Sequence, residues 1–526
     1  MRIFFIKLIF FCLIATRTVA DTLPEPVSAA LKRAHIPLSS VSILVQETNE
    51  SAPIISLNAE IPVNPASTMK LLTTFAALET LGPAYRWKTE AYLNGKLEKG
   101  VLQGDLVFKG YGDPKLTVEQ FWMWLRELRQ RGLREIRGDV VLDRSFFEVA
   151  NQDPAGFDND PTRAYNVGTS ALLLNFNALH LHLIPNGRET TALMEPDLAG
   201  YTLVNRITTS RRLRCGGADA YKAHLDGHKI LLEGVLPAFC GEADNYFSLL
   251  PHDEYFIAVF SALWQELGGT LKGNLRVGAA PVDQVPFATY ISPPLAEVIR
   301  DINKFSNNIM ARQLFLALGT KDTAQADVAQ ASQGAAGLLP AEGIDSRDDF
   351  SRAQALSETP QLAEQEGGDT AAPSTPAVSV PVNVRPPANI ARSTEAIQQW
   401  LKTQQLQFPE LVLENGAGLS RRERISAQHL AEILQHATRS PFAAELEASL
   451  PILGMDGSVK KRLKDSEAAG YAHLKTGTLE GVKSLAGYVK AHSGKQWIVV
   501  FIVNHANAKL AQPAQDALVE WLQKEH

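Results

Sequence analysis

The sequence predicts an α/β chain in which the two ends of the polypeptide build one domain and a large, mostly β insertion forms two further domains. Three observations predict it. Strand patterns lie near both termini with strong helices between them, so the termini are expected to share a sheet. The stretch from about Asn166 to Leu250 reads as mostly β, with turns at Pro185-Asn186-Gly187 and Cys215-Gly216-Gly217. The chain has 526 residues, room for about two to four domains.

Taken in order, the first twenty residues have the form of a secretory signal. Arg2 and Lys7 supply positive charge, Ile3 to Ala15 is mostly apolar, and Thr18-Val19-Ala20 offers small residues for cleavage. The alternative is an uncleaved anchor, for which the apolar run is short. After it come a short helix-like stretch and two strand-like runs, Val41 to Gln46 and Ile54 to Asn58. A helix is expected from Ser67 to about Thr80, with Met69, Leu72, Phe75 and Ala76 on one side and Gly82-Pro83 as its stop. From Trp87 to Glu148 short strands flank an amphipathic helix, Val118 to Arg131, and a strand at Asp139 to Asp143. Helices return at about Pro294 to Asn303 and Asn307 to Leu318. From about Lys321 to Pro387 the chain turns to Ala, Gln, Ser, Glu, Pro and Gly. Such a segment buries too little apolar surface to offset its ordering entropy, and it is expected to be a mobile insertion. A helix from Arg392 to Gln404, strands at Ser484 to Lys490 and Gln496 to Asn504, and a last helix from Pro513 to Lys524 complete the chain.

Composition narrows the function. The chain is 45% hydrophobic and 21% charged with a formal charge of −6, an ordinary globular balance that argues against nucleic acid as a partner. No stretch after the N-terminal one is long and apolar enough to span a membrane, so the mature chain is expected to be soluble in an exported compartment. Of its three cysteines, two would survive signal removal. Cys215 and Cys240 either pair in an oxidising compartment or remain two buried thiols. The histidines are scattered, without HExxH or CxxC, and no metal or cofactor is expected.

Three short motifs carry chemistry. Ser67-Thr68-Met69-Lys70 opens a helix, and residues three apart share a helix face, which puts the Lys70 amine within reach of the Ser67 hydroxyl. A serine needs a neighbouring base to become a nucleophile, and a lysine serves when burial and nearby positive charge hold it partly neutral. The helix start adds N–H groups that favour an oxyanion. Ser-x-x-Lys is common by chance, and it recurs at Ser458-Val459-Lys460-Lys461; that copy lacks an apolar helix behind it. Ser306-Asn307-Asn308 joins two helices and is also what a plain helix cap looks like. Functionally, Ser306 would pass a proton to a leaving amine and Asn308 would hold a substrate carbonyl. Lys475-Thr476-Gly477-Thr478 enters the last sheet; Gly477 lets a ligand backbone approach, and an extended peptide would pair with this edge. Lys475 and Thr476 suit a carboxylate, and the Thr478 N–H would join that of Ser67 in an oxyanion hole.

In this order and these contexts the motifs resemble those of the serine penicillin-recognising enzymes. The roughly 240 residues between Ser67 and Ser306 and the segments around each motif are similar to the class C low-molecular-mass penicillin-binding proteins of the penicillin-binding protein 4 type. Gly110-Tyr111-Gly112-Asp113-Pro114, Leu172 to Asn177, Asn415 to Arg421 and Asp456-Gly457-Ser458 carry the likeness further. Asn415 and Ala417 depart from the Asp and Ser usual there.

The resemblance implies a penicillin-binding transpeptidase-like (β-lactamase-like) domain from residues 21–88 and 289–526, an inserted domain from 89–165 and 251–288, and a domain nested in it at 166–250. It implies a D-alanyl-D-alanine carboxypeptidase and endopeptidase acting on peptidoglycan peptides through an acyl-enzyme on Ser67, with β-lactams as covalent partners and no cofactor. Asp160, Tyr165 and Arg421 match positions that read a diaminopimelate side chain in some relatives, Asp160 toward its amine and Arg421 toward its carboxylate. A β-lactamase or a non-catalytic peptidoglycan-binding protein on the same scaffold are the alternatives.

Overall fold

A computed structural model describes residues 23–150, 152–186, 189–209, 215, 220–320 and 387–525. The signal-like N-terminus, all but the last residue of the low-complexity segment, and Gly187, Gly216 and Gly217 of the two turns lie outside them.

The two ends of the chain share one sheet. Its strands run in the order Ala472–Leu479, Val482–Lys490, Gln496–Asn504, Val41–Glu47 and Ile55–Leu57, all neighbours antiparallel. The first strand of the chain therefore pairs with the last, Val41 opposite Val503 and Glu47 opposite Trp497. Side chains alternate between two cores. Leu44, Ile498, Val500 and Ile502 pack with Phe75, Leu314 and Trp400 on one face. Ile43, Val45, Val499, Phe501 and Val503 pack on the other face with Val27, Leu31, Leu518 and Leu522 of the helices Glu25–Arg33 and Gln512–Glu525. Both faces are covered, which is why Gln496–Asn504 reads as a continuous apolar run rather than an alternating one.

The helix Lys70–Leu81 runs through the first core, with every residue from Lys70 to Leu78 buried. The expected start at Ser67 is corrected in form: Ser67 lies in a 3-10 turn, Ala66–Met69, that feeds the helix. The turn is tighter because the Asn64 side chain accepts the Ala66 N–H at 2.9 Å while Ala66 takes a φ of +48°. Leu295–Phe305 and Asn308–Leu318 meet at Ser306, whose left-handed backbone (φ 56°) breaks the first helix, and Asn307 caps the second through the Met310 N–H at 3.1 Å.

The inserted region has its own sheets. The long hairpin Lys88–Glu98 and Val101–Gly110 is flanked by Ala288–Ile291 and by parallel strands including Val140–Asp143, over a core of Phe108, Phe121, Trp124, Phe256 and Phe260. Its helix His252–Glu266 is apolar around much of its circumference, so it carries little of the periodicity that marks the amphipathic Val118–Gln130. Two three-stranded sheets follow, Thr190–Glu195, Leu179–Pro185 and Ala243–Phe247 in one, Tyr221–Asp226, Lys229–Val235 and Thr202–Thr208 in the other. Cys215 and Cys240 form a disulfide, with Cα atoms 5.5 Å apart, which resolves the two states open to them. No described helix is long and apolar enough to cross a membrane.

Candidate active site

The Ser67 turn is clamped from several sides. Asn64 donates to the Ser420 carbonyl at 2.8 Å, and its backbone exchanges two bonds with the Asn504 amide at 2.9 and 3.0 Å. Two glycines press against the turn. A Cβ on Gly418 would lie 1.9 Å from the Ala66 carbonyl oxygen, and one on Gly477 would lie 2.8 Å from the Ser67 nitrogen and 2.2 Å from Ser484 Oγ. The backbone of the Lys475 strand thus passes directly beside Ser67.

Lys70 Nζ faces three oxygens: Ser67 Oγ at 3.0 Å, Asn308 Oδ1 at 2.7 Å, and the Ala417 carbonyl. Asn308 Oδ1 and a carbonyl can only accept. In its neutral form the amine would have two N–H groups for those two acceptors and one lone pair left for the Ser67 hydroxyl. Lys70 is fully buried, and its pKa is held well below that of a free lysine, first by desolvation, then by the charges of Lys475 and Arg312 and against the pull of Glu423.

Lys475 is equally buried and donates to Ser306 Oγ at 2.8 Å and to the Thr476 carbonyl at 2.7 Å. Burial lowers its pKa to about 7. The left-handed conformation of Ser306 brings its hydroxyl back toward this strand. Thr476 Oγ1 bonds Ser458 Oγ at 2.7 Å, and Thr478 Oγ1 accepts from Lys483 at 3.1 Å. Ala472–Leu479 is the outermost strand of its sheet. Ser67, Lys70, Ser306, Asn308, Lys475 and Gly477 therefore converge from segments far apart in sequence.

The second Ser-x-x-Lys serine is part of this neighbourhood: Ser458 supports Thr476. Its neighbour Asp456 pairs with the buried Lys304 at 2.7 Å.

Arg421 reaches the turn after the Lys475 strand, bonding the Glu480 carbonyl and carboxylate at 3.3 and 3.2 Å, with its guanidinium 5.0 Å from the Phe157 ring. Asp160 and Tyr165 belong to the loop that carries Phe157, and both are already engaged. Asp160 accepts from Thr162 and, at 2.9 Å, from Arg163, while Tyr165 donates to Asp158. Hydrogen bonds and the Arg163 charge hold the Asp160 carboxyl below its usual range despite some desolvation.

Sequence reasoning missed the supports. Asn64 and Asn504 shape the turn. Buried Glu423 accepts the N–H groups of Glu414, Asn415 and Gly416 at 3.1, 2.9 and 3.0 Å, and so fixes the loop whose next carbonyl, that of Ala417, receives Lys70. Ala417 contributes only backbone, so no side-chain pattern announces it. A cavity of about 930 Å³, lined by Ser145, Thr162, Ser170, Asn177, His224 and His252 among others, lies in the inserted region and includes none of Ser67, Lys70, Ser306, Asn308 and Lys475.

The site brings a serine hydroxyl and a buried lysine amine into contact beside an edge strand. The chain matches the D-Ala-D-Ala carboxypeptidase 3 (S13) family over residues 23–350 and 377–525, and it belongs to that family. It is 23% identical to the D-alanyl-D-alanine carboxypeptidase DacB of Haemophilus influenzae over 470 residues, 89% of this chain and 85% of that one. It is 28% identical to a D-alanyl-D-alanine carboxypeptidase of Actinomadura sp. strain R39 over 520 residues, 94% of this chain and 83% of that one. The crystal structure of penicillin binding protein 4 from Haemophilus influenzae superposes with a TM-score of 0.68 at 22% identity, covering 95% of this chain and all of that one. The fold is accordingly that of penicillin binding protein 4.

Proposed function

We propose that the chain is an exported serine D-alanyl-D-alanine carboxypeptidase and endopeptidase that acts on peptidoglycan stem peptides and their cross-links through an acyl-enzyme on Ser67. The observation that carries this is the Lys70 amine, buried, depressed in pKa and 3.0 Å from Ser67 Oγ. Membership of the S13 family and the names of the two relatives support the substrate.

As Ser67 Oγ bonds the carbonyl carbon of a D-alanine residue, its proton passes to Lys70. The N–H groups of Ser67 and Thr478 hold the oxyanion, a contribution of several kcal/mol in such sites. The C–N bond then breaks, with the proton reaching the leaving amine through Ser306, and water hydrolyses the ester. Protonated Lys475, with Thr476, receives the carboxylate of a terminal D-alanine, and Asn308 holds the substrate amide. A free D-alanine leaving group makes the enzyme a carboxypeptidase; a cross-bridge amine makes it an endopeptidase. Arg421, with Asp160 and Tyr165 in the adjoining loop, reads the stem-peptide side chain once Asp160 exchanges Arg163 for the substrate amine. The basic, apolar N-terminus serves as a signal peptide cleaved near Ala20, which places the mature chain in the periplasm. Residues 21–88 and 289–526 form the catalytic domain, 89–165 with 251–288 a second, and 166–250 a third.

Digestion of purified sacculi with the mature protein tests this. Free D-alanine and cleaved cross-links are expected by mass analysis. Intact sacculi with no released D-alanine or peptide would contradict it.

A further inference from the structure

The outer face of the sheet that holds Leu179–Pro185 gathers side chains that catalysis does not use. Along this strand Leu181 and Leu183 point into a small core, so His180 and His182 share the opposite face. The antiparallel register sets Asp244 opposite His182 and Tyr246 opposite His180, and directly opposed residues lie on one face. On the other flank Glu195 stands opposite His180. His180 Nε2 and His182 Nδ1 converge on the same oxygen of Asp244, each at 2.7 Å. Tyr246 stacks on the His180 ring at 4.7 Å between centroids, which fixes its plane. The far nitrogen of His182 lies 3.5 Å from Glu242.

We propose that His180, His182 and Asp244 bind a divalent transition-metal ion of the zinc class on this face, with Glu242 orienting His182. Two imidazoles and one carboxylate suit zinc or its late first-row neighbours, whereas calcium and magnesium take all-oxygen sets. One donor atom from each of the three residues lies within 4.8 Å of the others. An ion with bonds of about 2.0–2.2 Å needs its ligands roughly 3–3.5 Å apart, so the two 2.7 Å contacts open by less than an ångström to admit it. A ligating histidine ordinarily gives its other ring nitrogen to a carboxylate, which is the place of Glu242 beside His182. Either ring nitrogen of an imidazole can ligate, so Nε2 of His180 and Nδ1 of His182 are both competent donors. Three protein ligands leave a fourth position for water or for an acidic group of a partner. In sequence the only sign is His-Leu-His; Asp244 lies more than sixty residues away and is brought in by strand pairing.

The test uses the tag-free mature chain, stripped with a chelator and titrated with zinc chloride in a calorimeter. One ion per chain is expected, and cobalt(II) should give the visible absorption of a low-coordinate nitrogen–oxygen site. The His180→Gln/His182→Gln double variant and Asp244→Asn should each weaken binding roughly tenfold or more, and Glu242→Gln by less. Zinc should raise the melting temperature of the wild type and not of the double variant. Circular dichroism without zinc establishes that each variant is folded, and Asp244→Asn gives an independent reading if the double variant is not. Equal stoichiometry and affinity in the wild type and a folded variant, or no binding to the wild type, would overturn the proposal.

Discussion

Gly477→Ala tests how closely the Lys475 strand and the Ser67 turn must pack. The added Cβ would stand 2.2 Å from Ser484 Oγ, 2.8 Å from the Ser67 nitrogen and 3.0 Å from Ala66 Cβ. Ser484 can turn its hydroxyl away, but that hydroxyl donates to the Pro65 carbonyl at 2.6 Å, at the base of the same turn. The Ser67 nitrogen has no such freedom, because the Asn64 clamp holds the turn. Relief to ordinary contact therefore moves Ser67 and the strand apart by about half an ångström or more. Misplacement of reacting groups on the ångström scale costs on the order of 10²-fold in rate. Overpacking and the lost Ser484 bond together should lower stability by about 1–3 kcal/mol. The assay is the second-order rate of acylation by a fluorescent penicillin, with thermal melting alongside. A rate within about threefold of wild type in a folded variant would refute the argument that this contact positions the nucleophile, since the expected loss is on the order of 10²-fold.

Three more outcomes are expected. Lys70→Ala removes the base and should slow acylation by about 10²–10⁴-fold while leaving the protein folded, as read by circular dichroism. Acylation should be bell-shaped in pH. It falls as Lys70 gains a proton on the acid side, and it falls on the alkaline side as Lys475, with its pKa lowered to about 7 by burial, loses the charge that receives a carboxylate; a flat profile through neutrality would count against these roles. Arg421→Ala should reduce the preference for a diaminopimelate peptide over one with lysine in its place by roughly tenfold, measured as a ratio of kcat/KM, because a charge-assisted bond to the side-chain carboxylate is lost.

Much of the fold was legible because local pattern and tertiary context agree. Val118–Gln130, Ile390–Thr403 and Gln512–Glu525 form within two residues of their predicted bounds, and each has a polar side to set the period. His252–Glu266 was not legible, since an apolar helix between packed elements lacks that contrast. At the site, Ser67, Lys70, Ser306, Asn308 and Lys475 were recognisable because their side chains form motifs. The Ala417 carbonyl, the left-handed Ser306 and the Asn64–Asn504 clamp were not, because they act through backbone geometry that spacing does not encode. Ser458 looked incidental as half of a Ser-x-x-Lys pair; its actual contact is with Thr476, across a gap that only the fold closes. The paired histidines of the inserted sheet were passed over for the same reason.

The proposed mechanism requires Ser67 to be the acylated nucleophile. Intact-mass measurement after penicillin treatment tests it most directly, with peptide mapping to place the adduct. One penicilloyl adduct per chain on Ser67, absent from Ser67→Ala, is the predicted result. No covalent adduct on the wild type, or one that persists in Ser67→Ala, would contradict it.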